Sequence, residues 1–185
     1  MQFAKQFHVE YGRLAPLFTA AADADREFHT AWKEGIAELG FARYKQTDRY
    51  GQTLDRFQLA TRTIDELVSV AFIQAKLGDQ TQFPVLFAYL ALPGRYFRSG
   101  YQRATIWRFV KRLFLDEEQS CILRDIIFRQ VETAGPEFVE MARAARKVNS
   151  AGLQENLKSL LLRSKRDYVI ARLNSLIGTL ECKSA

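Results

Sequence analysis

Apolar residues recur along the chain as Leu17, Ala21, Ala24, Phe28, Ala31, Trp32, Ile36 and Leu39, and Gly40 follows directly. Steps of three and four residues put them on one face of an α-helix of more than six turns, at about 3.6 residues per turn. Gly40 stands where a helix ends in the left-handed conformation. A stripe this long needs a helical partner along its length, so the N-terminal part of the chain is expected to form a long helical hairpin.

The second arm of that hairpin is the run Leu54, Phe57, Thr61, Ile64, Leu67, Val68, Ala71 and Ala75, closing at Gly78. It starts either near Leu54 or at Thr63, where Thr63-Ile-Asp-Glu66 fits a capping box. Between the arms, residues 41–53 are polar and break the period, which predicts a loop, with a β-hairpin about Tyr50-Gly51 or a helical extension as alternatives. Upstream, Phe3, Phe7, Tyr11 and Leu14 predict a short helix, with Pro16 restarting the pattern in a favoured first-turn position.

Beyond the hairpin, Val85–Leu92 has no polar face and reads as a short buried helix, a strand being the alternative. Pro93-Gly94 ends it. Five further helices are expected after residue 95, joined by a few residues each, which makes sequential neighbours antiparallel. Asp116 is the expected N-cap of one, with Glu117 and Glu118 in its first turn. Ser164-Lys-Arg-Asp167 resembles a cap before the last. The expected fold is a single all-α domain of seven to nine helices, either a bundle or an irregular HEAT-like array. Ala104, Ala142 and Ala171 have similar surroundings but unequal spacing, so no fixed repeat supports a solenoid.

Composition bounds the function classes. The chain has 185 residues, 48% of them hydrophobic and 26% charged, an ordinary balance for a folded domain. No apolar run approaches the length of a membrane span, and the first residues lack the apolar core of a signal peptide. The expected compartment is the cytoplasm. Cys121 and Cys182 form no Cys-x-x-Cys pair and stand near no histidine, so neither a disulfide framework nor a zinc site is expected. Cys121 is expected to be a small buried side chain, and Cys182 to lie in a frayed tail.

Charge is distributed unevenly. Residues 1–94 carry 10 Lys+Arg against 11 Asp+Glu, and residues 95–185 carry 17 against 10. The positive excess therefore lies in the second half and favours an acidic macromolecular partner, protein or nucleic acid. Its densest stretch runs from Arg95 to Arg112, with six cations and no carboxylate. A helix from about Phe97 to Leu115 would turn Ile106, Val110, Leu113 and Phe114 inward and Arg108, Lys111 and Arg112 outward, with Arg103 near the edge of the outer face. The candidate binding residues are Arg95, Arg98, Arg103, Arg108, Lys111 and Arg112, with Tyr96 and Tyr101 as aromatic partners. Peripheral membrane contact is disfavoured, because Trp107 and Phe114 are expected in the core. Gly94 and Gly100 bracket Arg95–Ser99, which would also suit an anion-binding turn.

Catalytic signatures are sparse. His8 and His29 are the imidazoles. Asp25 and His29, like Glu34 and Glu38, are four apart and read as ordinary helix-face pairs. No phosphate-binding loop, dinucleotide fingerprint or nucleophile elbow is present. No cofactor or metal is expected, and no residue is assigned a catalytic role. The expected function is a non-catalytic interaction module, with nucleic-acid binding through the same basic helix as the alternative and an enzyme without a recognisable motif as the third.

Overall fold

The computed structural model describes residues 2–181. The described residues form nine α-helices and no strand: α1 (Gln2–Leu39), α2 (Phe41–Tyr44), α3 (Asp48–Lys76), α4 (Phe83–Ala91), α5 (Ser99–Val110), α6 (Glu117–Gln130), α7 (Phe138–Ala145), α8 (Ala151–Arg163) and α9 (Asp167–Glu181). The chain is all-α, as its periodicity predicts.

α1 is one helix of 38 residues, and Pro16 lies inside it. The expected break is absent. A proline within a helix costs about 3 kcal/mol through its missing N–H and its crowding of the preceding turn. Leu14 and Phe18 are buried on either side of it, and Phe3 meets Phe87 edge-on at 5.3 Å. At about 1.5–3 kcal/mol per large side chain buried, packing on both sides of Pro16 outweighs the local penalty.

Residues 41–53 are mostly helical rather than a loop or β-hairpin, with a turn of three residues at 45–47 between α2 and α3. Gly40 takes a positive φ of 74°, α2 follows, and Thr47 caps α3 by accepting the Tyr50 N–H at 3.2 Å. Aromatic packing holds the turn: the Tyr44 ring lies against Gly35, where a Cβ would come within 2.1 Å of it, and Trp32 packs on Phe41 and Tyr50. Thr63 is no cap, because it lies mid-helix with its hydroxyl donating back to Leu59 O at 3.0 Å. Arg49 pairs with Glu34 at 2.6 Å and Arg56 with Glu27 at 2.8 Å. Moving seven residues forward along α3 thus moves seven back along α1, which makes the pair antiparallel.

α4 is the expected buried helix: every residue from Phe83 to Leu90 is buried, and it touches α1, α3, α5 and α6. The shorter helices close around it, α5 against α7 and α8 against α9. Buried apolar residues from Leu14 to Leu180 form one continuous core. α6 starts with a full capping box, Asp116 accepting from Gln119 N and Gln119 accepting from Asp116 N. No described helix is long and apolar enough to cross a membrane.

Two burial expectations and one capping expectation fail. Cys121 is exposed, on the side of α6 away from buried Leu123, Ile126 and Ile127. Phe114 is 99% exposed, because α5 ends at Val110 and the helical period no longer applies to the residues after it. Ser164 does not cap α9; its hydroxyl donates to Leu160 O at 2.8 Å and finishes α8. Cys182 lies outside the described residues.

Candidate binding face

The eight candidate residues divide between the interior and the surface. Arg103 is buried, 2% exposed, and is not at the edge of an outer face. Its guanidinium donates to Leu92 O at 2.6 Å and Gly94 O at 3.0 Å. It lies over the rings of Phe18 and Tyr89, with Glu137 at 3.8 Å. Burial pushes its pKa down, opposed by neighbouring Tyr89 and Glu137. An arginine presents five donors in a rigid fork, and here the fork closes the loop between α4 and α5.

Tyr96 is buried too. Its hydroxyl donates to Asp65 Oδ1 at 2.6 Å and meets Tyr89 Oη at 3.1 Å, while Tyr89 donates to Gln102 Oε1 at 2.5 Å. Burial raises the pKa of both phenols. It also raises that of Asp65, against the lowering influence of the Tyr96 hydrogen bond and Arg98. Arg95 donates to Thr133 O, and its guanidinium fills the space beside Gly135, where a Cβ would come within 2.1 Å of it. Arg95 therefore ties the α4–α5 loop to the connection between α6 and α7, Tyr96 ties it to α3, and Arg103 holds it against α5.

The turn between Gly94 and Gly100 is not built for an anion. Ser99 closes it, donating to Tyr96 O at 2.7 Å and accepting from Tyr96 N at 3.1 Å, so those donors are used internally. Glu137 Oε2 would lie 3.1 Å from a Cβ at Gly100, placing a carboxylate where an anion would bind. Arg98 adopts a left-handed φ of 72°, uncommon for a residue with a Cβ. Its exposed side chain lies over Phe97 and borders an open cleft of about 500 Å³ against Phe57 and Asp65 of α3.

The remaining candidates share one surface. Tyr101, Thr105, Arg108 and Arg112 are exposed along α5 and just beyond its end, stepping by four, three and four residues. α7 lies against α5 and exposes Val139 and Arg143, followed by Arg146 and Lys147. Glu140, 7% exposed, joins the two helices. It receives Arg143 at 2.9 Å, and Arg108 and Lys111 at 3.2 Å each. Burial alone would raise its pKa; hydrogen bonds from Lys111 and Arg108 and the nearby charges hold it below the usual carboxylate value. Phe114 stands out at this end with Lys147 Nζ 5.5 Å from its ring centre. Arg108, Lys111 and Arg143 thus meet on one carboxylate, with Arg112, Arg146 and Lys147 exposed just beyond the ends of the same two helices and Phe114 exposed against Lys147.

Arg143, Arg146, Lys147 and Phe114 were missed from sequence. The period of α7 was a usable signal, since Met141, Ala142 and Ala145 face inward and leave Val139, Arg143 and Arg146 outward. The packing of α7 on α5, which merges the two stripes, has no local sequence marker.

Asp25 and His29 form the expected helix pair at 3.3 Å. Burial raises the Asp25 pKa, with His29 and the Phe97 N–H acting the other way. Glu34 is drawn to Arg49. Among the described residues, no group of three or more His, Cys, Asp or Glu is placed to hold a metal ion. No protein-family model, curated protein or solved structure matches this chain.

Proposed function

We propose that the protein is a helical interaction module that binds an acidic partner protein through the outer face of α5 and α7. The observation that carries this reading is the concentration of Arg108, Lys111, Arg112, Arg143, Arg146 and Lys147 on adjoining helices, with Glu140 bonded to three of them. Arginine and an exposed aromatic are the side chains that most often supply binding energy at protein interfaces. Phe114, 99% exposed at the edge of the cations, has the form of an anchor for a partner's pocket. Tyr101, 71% exposed, lies at the other end of the α5 stripe and supports a second reading, in which single-stranded nucleic acid stacks its bases on the two rings.

Reversing Arg112, Arg146 and Lys147 to Glu tests the face without disturbing the cluster around Glu140. Binding of a labelled poly-glutamate peptide and of a single-stranded oligonucleotide is followed by fluorescence anisotropy at several salt concentrations. The acidic-protein reading expects the peptide to bind and the triple variant to lose it, with unchanged circular dichroism. The nucleic-acid reading expects the oligonucleotide to bind far more tightly, its affinity falling steeply with salt. Wild-type protein that binds neither probe at low salt overturns both.

A further inference from the structure

A second cationic feature lies away from α5, where α8 turns into α9. Arg163, Lys165 and Arg166 line the rim of a cleft of about 640 Å³, and Phe128, Leu160 and Val169 line its wall. This volume lies within the range of small-molecule sites. The rim cations are exposed and none is in a carboxylate ion pair among the described residues. Arg163 donates to Ser159 O at 3.1 Å and Arg166 to the Tyr168 hydroxyl at 3.2 Å. Arg108, Lys111 and Arg143, by contrast, all reach Glu140.

From this arrangement of cations over an apolar wall, we propose that the cleft binds a phosphomonoester carried on an apolar body. Charge and shape both select that class. The lining carries three cations against the single carboxylate of Glu132, a formal excess of two that matches a phosphomonoester dianion. Guanidinium groups hold phosphate through paired N–H donors. The apolar wall gives an alkyl chain somewhere to leave water, which inorganic phosphate cannot use. The ligand chemistry is thus shared by a soluble alkyl phosphate and a phosphatidic-acid headgroup.

The test uses the full chain and calorimetric titration with hexyl phosphate, inorganic phosphate and hexan-1-ol, alongside flotation with vesicles of phosphatidylcholine containing phosphatidic acid. Hexyl phosphate should bind at least tenfold more tightly than either half-ligand, and the R163Q/K165Q/R166Q variant should lose at least tenfold. The variant changes exposed side chains only, and circular dichroism checks its fold. Hexyl phosphate binding without flotation identifies a soluble ligand; both together, lost in the variant, identify a lipid. Equal affinity for hexyl phosphate and inorganic phosphate, no hexyl phosphate binding, or binding that the variant keeps overturns the proposal. The α5–α7 triple reversal should leave this titration unchanged, which keeps the two sites distinguishable.

Discussion

The Tyr96 hydroxyl donates to the Asp65 carboxylate at 2.6 Å, tying the loop before α5 to the middle of α3. The bond is half of a buried chain, because Tyr96 also meets the Tyr89 hydroxyl. Removing the Tyr96 hydroxyl takes a donor from Asp65, while Tyr89 keeps its own bond to Gln102. Tyr96→Phe should therefore destabilise by about 1.5–3 kcal/mol, as for a hydrogen bond to a charged group. Tyr101→Phe, at an exposed position, should stay within about 0.5 kcal/mol. Urea unfolding of the two variants makes the comparison, and equal effects would refute the buried network.

The same carboxylate has a pH signature. Burial raises the folded-state pKa of Asp65 above the ordinary aspartate value of 3.8, so the folded chain holds this proton more tightly than the unfolded chain. Its contribution favours folding at low pH and is lost as pH rises from about 3.8 through the raised value. Asp65→Asn removes the titration and keeps an acceptor for Tyr96. The stability difference between wild type and variant should move in favour of the variant as pH rises through that window. A difference constant from pH 3 to 7 would show that Asp65 is not desolvated.

Arg103 separates structural from surface cations. Truncating it removes the donor to the Gly94 carbonyl, leaves Leu92 O with Gln130 Nε2 alone, and leaves Glu137, 2% exposed, without its nearest cation. Arg103→Ala should cost about 3–5 kcal/mol, as for breaking a buried pair. Arg103→Lys should recover only part of this, since one ammonium does not reproduce the fork that spans both carbonyls. Arg112→Ala should change stability by less than about 0.5 kcal/mol. Thermal unfolding ranks the three, and an Arg103→Ala protein as stable as Arg112→Ala would place Arg103 at the surface.

Helical class, α4 and the Asp116 cap were legible in the sequence because period and capping are local properties. Pro16 and residues 41–53 were misread for the opposite reason. What keeps them helical is distant: Phe3 on Phe87, and Tyr44 against Gly35. The candidate site was half legible. Composition marked Arg95–Arg112 as basic, yet nothing local distinguishes Arg103, which turns in to the Leu92 carbonyl, from Arg108, which turns out to Glu140. That difference depends on which helix packs against which side of α5.

Two glycines provide a packing test. A Cβ at Gly35 would lie 2.1 Å from the Tyr44 ring, whereas one at Gly178 meets nothing within 4 Å. Gly35→Ala should destabilise by about 1–3 kcal/mol through overpacking, against a helix-propensity gain of at most about 1 kcal/mol. Gly178→Ala, exposed within α9, should stabilise by about 0.5–1 kcal/mol. Opposite signs in thermal unfolding are expected; a stabilising Gly35→Ala would mean that Tyr44 does not pack there.

Glu140 couples stability to binding and so tests the proposed face most directly. Its carboxylate holds Arg108, Lys111 and Arg143, and the first and last of these remain more than half exposed. Ion pairs so open to water contribute about 0–1 kcal/mol each, so Glu140→Gln should cost little stability at neutral pH. The Glu140 pKa is lowered from 4.5, so its contribution is present above that value and disappears as pH falls through the lower folded one. The variant should accordingly approach wild-type stability in acid. Its binding should change in the other direction. Removing one negative charge and releasing three cations should strengthen poly-glutamate binding several-fold at low salt, with a steeper dependence of affinity on salt. An unchanged or weakened affinity, with the fold intact by circular dichroism, would mean that the partner does not approach this face.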